Sequence, residues 1–294
     1  MKTETQAEKK VDNIIQRELK KNSQQIQNAL IEPLDDVYPF STNGIYFLCA
    51  RMGCGKTYFV MKHIMLTERL FNEPYYDSIL FTSTSGTLDK TVSTLSKQVK
   101  TKIDYVPHQD LLPKLKKHLK NKMKWYAVIE YLNSGEMNGE FERLIVKHNL
   151  YKWDRGKRII DLKRVVQYAQ AKSDKYGFTK YPSNTLLVLD DFATNPLIKK
   201  VDSELIGMLT KTRHYHLTAI IVAQTWRFVQ LNLKRLCTDI VIWKGFSMED
   251  FQKMITQTPS SLDWKELWNE YSKLEDKHSK LIIHCNTNQY SFEL

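Results

Sequence analysis

The sequence predicts an α/β fold: a mostly parallel central sheet with helices on both faces. Three observations predict it. Short strands, apolar on both faces, alternate with helical segments, as parallel strands joined by crossover helices do. The first strand runs through a glycine-containing loop directly into a helix. Two later strands end on polar residues, Asp190-Asp191 and Gln224, and the carboxyl ends of such strands are where an open α/β sheet gathers its ligand-binding groups.

Residues 1–35 are polar and Gln-rich, with Ile14, Ile15, Leu19, Ile26, Leu30 and Ile31 at roughly helical spacing. They predict an N-terminal helical segment ahead of a main domain over 36–294. The loop Val37–Asn43 feeds the first strand, Gly44–Ala50, and the helix after it runs to about Phe71 with Phe59, Val60, Ile64 and Met65 turned inward. Tyr76–Thr82 is the second strand, stopped by a Ser-Thr-Ser-Gly turn; a helix over Leu88–Val99 and a short strand near Ile103–Val106 follow. Residues 110–180 lack strong strand signals and are rich in Lys, Arg and Tyr, so they read as a basic, mainly helical insertion between core strands. The alternation resumes with strand Thr185–Leu189, a helix over Leu197–Thr212 and strand Leu217–Ala223. A helix around Phe228–Leu236, strand Asp239–Trp243 and a helix near Met248–Ile255 continue it. Leu281–Cys285 and Gln289–Phe292, around Asn286-Thr287-Asn288, predict a C-terminal β-hairpin.

With 294 residues, 42% hydrophobic and 11% aromatic, the chain can build a substantial core. Its four cysteines, Cys49, Cys54, Cys237 and Cys285, show neither CxxC nor zinc-ligand spacing, so a reducing compartment is expected. The first residues carry no apolar leader, and the longest apolar runs fall well short of the roughly 20 residues that span a bilayer, so no membrane association is expected. The 44 Lys and Arg against 33 Asp and Glu leave a net charge of +11, which favours polyanionic partners, nucleic acid first and an anionic membrane surface second.

The chemistry starts at Ala50-Arg51-Met52-Gly53-Cys54-Gly55-Lys56-Thr57. This is the P-loop pattern G-x-x-x-x-G-K-[ST] with Ala50 in place of the first glycine. Gly53 and Gly55 let backbone N–H groups turn inward around phosphate oxygens, and the helix beginning there adds partial positive charge beneath them. Lys56 can reach β- and γ-phosphates, and the Thr57 hydroxyl can coordinate Mg²⁺. The nucleotide cradle is drawn over Arg51, Met52, Gly53, Cys54, Gly55, Lys56, Thr57 and Tyr58. A P-loop NTPase is the class this motif points to, with a mostly parallel, RecA-like sheet as the expected fold once the later strands are counted, and ATP with Mg²⁺ the expected ligands; no base-reading motif separates ATP from GTP.

Leu186-Leu187-Val188-Leu189-Asp190-Asp191 has the form of a Walker B strand. Asp190 at its tip is placed to hold Mg²⁺ through water, and Asp191 to orient the attacking water. A helix cap and a solvated acid are the plainer alternative for such a pair. Gln224 ends the strand Leu217–Ala223, where an amide can sense the γ-phosphate and its water. Arg213, just before that strand, is the first candidate for an arginine supplied to a neighbouring subunit, and Arg235 the second.

Pro39-Phe40, the P-loop, Leu187–Phe192, and Thr212–Thr225 followed by the run from Arg235 to Asp239 together resemble the FtsK–HerA superfamily. The resemblance is strongest to the genome-packaging ATPases of poxviruses, other large DNA viruses and virophages. It covers about 36–56 and 184–245. It implies an ATP-driven double-stranded DNA translocase, working as a homo-oligomeric ring (hexamer or pentamer) with capsid or portal components. It places the protein in the host-cell cytoplasm, at sites of viral replication or assembly, or with the virion. It puts Lys56, Thr57, Asp190, Asp191 and Gln224 in the roles above. Asp191 stands where many such ATPases have Glu, a departure that occurs in the viral branch. A helicase or conjugation-type pump of the same superfamily, and an assembly or export ATPase, are the competing readings.

Two basic stretches are candidates for holding DNA. One is Lys114, Lys116, Lys117, Lys120, Lys122 and Lys124; the other is Arg155, Lys157, Arg158, Lys163 and Arg164, with Tyr151, Trp153 and Tyr168 nearby. Phosphate contacts from such side chains are independent of sequence and sensitive to salt.

Overall fold

A computed structural model describes residues 43–70, 75–84, 92, 96–200, 203–227 and 229–293. The helices predicted within 1–35, and most of the one over Leu88–Val99, lie outside the described residues. The chain divides into two compact units: 38–116 with 184–294, and 117–183 grouped with 1–37. The sequence drew the insertion at 110–180.

The larger unit is built on an eight-stranded sheet. In chain order its strands are β1 (Ile45–Cys49), β2 (Ser78–Ser83), β3 (Ile103–Tyr105), β6 (Thr185–Asp190), β7 (Leu217–Ala223), β8 (Asp239–Trp243), β9 (Lys280–His284) and β10 (Gln289–Glu293). Their order across the sheet is β10-β9-β8-β1-β7-β6-β2-β3, with β8 through β3 parallel and the terminal hairpin antiparallel. Every residue of β1, β7 and β8 is buried, which is why these strands read as continuous apolar runs. Helix α1 (Lys56–Leu70) lays Val60, Met61 and Ile64 against Tyr46 and Leu48. Each such side chain, fully buried, contributes about 1.5–3 kcal/mol.

At the amino end of β1 the Thr238 hydroxyl accepts from the Ile45 amide at 3.1 Å and donates to the Asp239 carboxylate at 2.7 Å. Asp239 in turn holds His284 Nδ1 at 2.7 Å, tying β8 to β9. Gly44 lies flat against this knot: a Cβ there would sit 2.2 Å from the Thr238 hydroxyl.

The helix predicted over Leu197–Thr212 is instead three short pieces, Pro196–Lys199, Glu204–Leu209 and Thr212–Tyr215. Lys200 is extended, and Ser203 restarts the helix by accepting the Leu205 amide at 3.2 Å, the competition that makes serine a better cap than an interior residue. A helix at Trp264–Tyr271 was not expected; its signal was the capping pair Asp263 and Glu266.

The described part of the second unit holds most of α2 (Leu111–Ser134), then α3 (Gly139–Lys147) and α4 (Leu162–Tyr176) around a core of Trp125, Val128, Phe141, Leu144, Val165 and Phe178. The described residues of this stretch are mainly helical, and they also hold strands that the sequence did not signal. A two-stranded antiparallel ribbon, β4 (Tyr151–Asp154) and β5 (Lys157–Ile160), stands between α3 and α4. Its strands are four residues each and largely exposed, so they carry no apolar run. Arg155 at φ 48 and Gly156 at φ 77 supply the two positive φ values of its tight hairpin turn.

Candidate nucleotide site

The Ala50 amide still bonds to the Ala223 carbonyl at 3.2 Å, so the P-loop starts on the sheet and is fixed at that end. Ala50 is fully buried, and its methyl fits where the motif usually has glycine. Gly53 (φ 79) and Gly55 (φ 85) occupy the left-handed region, which side chains with a Cβ avoid. Nothing approaches the Cβ position of Gly53, whereas that of Gly55 lies 3.5 Å from His278 Nδ1. Lys56 opens α1 and folds its ammonium back onto the Ala50 and Arg51 carbonyls, at 2.7 and 2.9 Å. Burial pushes its pKa down, against the upward pull of Cys54 and Cys49 and, after them, of the Asp190 and Asp191 carboxylates. The two motifs, 134 residues apart in sequence from Lys56 to Asp190, thus share one electrostatic environment.

Asp190 is the last residue of β6, in register with Ser83 of β2. Asp191 follows at φ 52, ψ 37, turning the chain sharply off the sheet. The Thr84 hydroxyl donates to the Asp191 carbonyl at 2.9 Å, and Gln224 Nε2 donates to Asp191 Oδ1 at 3.3 Å. Strand β7 lies between β1 and β6, so three adjacent strands deliver Lys56, Gln224 and Asp191 to one edge. Thr57, half-buried beside Lys56, and Asp190 offer the hard oxygen donors that Mg²⁺ prefers, so the residues present fit that ion. Met52 and Tyr58, 83% and 54% exposed, leave the loop's outer side open, and the Arg51 side chain runs past Gly245.

Arg213 is not brought to this edge. It lies just before β7, at the strand's other end, and the seven residues of Leu217–Ala223 put about 20 Å between the two ends. Arg235 is exposed on a short helix, Leu231–Arg235, along the return from Gln224 to β8. Two site neighbours were missed by the sequence reading. Thr84 was signalled only as the turn after β2; His278, with Nδ1 3.3 Å from the Cys54 carbonyl, comes from a loop 224 residues away and had no local signal.

The lysine run of α2 is not one solvated face. Lys114 pairs with Asp104 at 2.7 Å, Lys116 pairs with Glu204, and Lys122 is fully buried with its ammonium 5.9 Å from the Tyr126 ring. The second stretch is exposed: Trp153 is 66% accessible, and the Arg158 guanidinium lies 4.3 Å from the Tyr151 ring and 5.6 Å from that of Trp153.

Strand order, the loop after β1 and the acidic pair after β6 define the class: a P-loop nucleoside-triphosphatase fold with a mostly parallel, RecA-like sheet. No protein-family profile matches the chain, and no curated protein matches it. Among solved structures it is similar to B204, the DNA-packaging ATPase of Sulfolobus turreted icosahedral virus, at 12% identity and TM-score 0.49, covering 87% of this chain and 98% of that one. The genome-packaging NTPase B204 of Sulfolobus turreted icosahedral virus 2 in complex with ATP-gammaS matches at 15% identity and TM-score 0.48, with the same coverage. ATPases 2 and 3 of EssC from Geobacillus thermodenitrificans match at 11% identity and TM-score 0.43, over 82% of this chain and 38% of that one. Among the described residues, no helix is long and apolar enough to cross a membrane.

Proposed function

We propose that this chain is an ATPase of the FtsK–HerA type that drives double-stranded DNA into a viral capsid as a homo-oligomeric ring. The observation that carries the reading is the Gln224–Asp191 hydrogen bond, with Lys56 in the field of both carboxylates. That arrangement supports hydrolysis over mere phosphate binding, because it fixes a carboxylate oxygen by a neutral amide on the strand beside the P-loop.

In this reading the Lys56 ammonium leaves the Ala50 and Arg51 carbonyls for the β- and γ-phosphates, which the loop amides and the amino end of α1 also face. Asp191 accepts a hydrogen bond from the attacking water and takes up its proton as the water oxygen bonds to the γ-phosphorus and the bond to the β–γ bridging oxygen breaks, releasing ADP and phosphate. Gln224 keeps Asp191 aimed and registers whether the γ-phosphate is present. The Thr57 hydroxyl, and Asp190 through water, would hold Mg²⁺, which would supply neutralisation of the phosphate charge. Arg213, at the far end of β7, serves only a neighbouring subunit's nucleotide, which makes the ring part of the active site. The net charge of +11 and the basic, aromatic ribbon support a nucleic-acid load.

The test is ATP turnover by the full chain, with and without long double-stranded DNA, across a salt series. Turnover rising with DNA and losing that stimulation as salt increases is expected, and Lys56→Ala is expected to be inactive. Undiminished turnover in Lys56→Ala would sink the site; turnover indifferent to DNA at every salt concentration would sink the translocase and favour an assembly ATPase.

A further inference from the structure

We infer that the β4–β5 ribbon is an arm that enters a groove of duplex DNA and grips it without reading sequence. The inference rests on the proposed DNA-translocating function. The site that carries it is one the ATPase chemistry does not use.

The unit containing the ribbon concentrates the protein's charge. Between residues 117 and 183 there are 15 Lys and Arg against 7 Asp and Glu, a net +8 of the chain's +11. Within it, the ribbon keeps one large ring, that of Trp153, outside the core. Cross-strand pairing sets Tyr151 opposite Ile160 and Trp153 opposite Arg158, and alternation puts these four side chains on one face. The Arg158 guanidinium is held over both rings, pre-ordered by cation–π contact, while Trp153 stays 66% exposed. Lys152 and Lys157 project from the other face, and Arg155 caps the turn.

The base of the arm is firm. Tyr151 and Ile160 pack against the unit's core, the Asp161 amide bonds to the Leu150 carbonyl at 3.0 Å, and Arg164 Nη1 donates to the Asn149 carbonyl at 3.0 Å. A rigid, narrow, cationic two-stranded ribbon matches the duplex major groove, which admits a β-ribbon of this width. Lys152, Arg155 and Lys157 would meet phosphates on the groove's rims, and Trp153 would pack on the sugar–phosphate wall. Contacts from Lys152, Arg155 and Lys157 to phosphates carry no sequence information, so a grip made through them is independent of sequence. An apolar docking face for protein is the rival, since Ile159 and Leu162 are also exposed, but it would not need four cations in ten residues.

The experiment is equilibrium binding of the full chain to a short labelled duplex of arbitrary sequence, without nucleotide, over a range of salt. The triple variant Lys152→Gln, Arg155→Asn, Lys157→Gln is expected to lower the slope of log affinity against log salt by about 2 to 3, since each phosphate contact contributes about 0.9. Trp153→Ala is expected to weaken binding about tenfold, and Trp153→Phe to restore most of it. Thermal midpoints within a degree or two of wild type exclude misfolding, since the altered side chains are exposed. Wild-type affinity and slope in all variants would overturn the arm while leaving the translocase standing. Ribbon-dependent binding with ATP turnover indifferent to DNA would keep the arm and overturn the translocase. A change of oligomeric state in Trp153→Ala with DNA binding intact would assign the face to protein instead.

Discussion

Gln224 and Asp191 meet across two neighbouring strands at 3.3 Å, and in the proposed mechanism this contact aims the base at the attacking water. Replacing the carboxylate by an amide keeps the shape but removes the base. Asp191→Asn is therefore expected to bind ATP with near-normal affinity and to lose about 10²- to 10⁴-fold in single-turnover hydrolysis. Turnover within threefold of wild type would move the water to another residue. At this scale the sequence was informative where a motif dictates both residue type and spacing, as at Gly53, Gly55, Lys56 and Asp190. It was silent where the partner is brought by topology alone. His278 against the Cys54 carbonyl and Thr84 against Asp191 depend on which strands are adjacent, and no local pattern encodes that.

At the scale of elements, β7 and β8 were legible to the residue, because burial on both faces leaves an uninterrupted apolar run with polar residues at each end. The β4–β5 ribbon was not, since its side chains face water and only its turn residues are constrained. The broken helix after Pro196 escaped notice for a related reason: apolar spacing continues through it, and the interruption lies in one serine's choice of hydrogen bond. The junction of β1 with β8 offers a direct test of packing between elements. A Cβ on Gly44 would overlap the Thr238 hydroxyl, which also serves Ile45 and Asp239. Gly44→Ala is expected to cost about 1–3 kcal/mol in denaturant unfolding as the hydroxyl is forced aside. A midpoint unchanged within error would mean that the loop before β1 yields instead.

At the scale of the whole molecule, two buried histidines among the described residues add to its acid sensitivity. His63, between α1 and the Tyr76 hydroxyl at 3.2 Å, and His118, against the Phe178 ring, both have pKa values pushed by burial from 6.5 to about 3. Above pH 6.5 they are neutral folded or unfolded and contribute no pH dependence. Between 6.5 and about 3 only the unfolded chain takes up their protons, so stability falls as the pH drops through that window. Each is expected to cost the native state about 2 kcal/mol by pH 5. Denaturant unfolding at pH 7 and pH 5 measures this, and His63→Gln is expected to remove roughly one histidine's share of the difference. An equal pH dependence in wild type and variant would show that His63 titrates normally.

Asp191 also has a consequence for how this protein can change. Its backbone lies in the left-handed region, at φ 52, where glycine or asparagine is more comfortable. Folding by itself would drift towards those residues at this position. Under the proposed mechanism an aspartate must stay there although glycine would relax the backbone, so mutational robustness and catalysis pull in opposite directions on a single side chain.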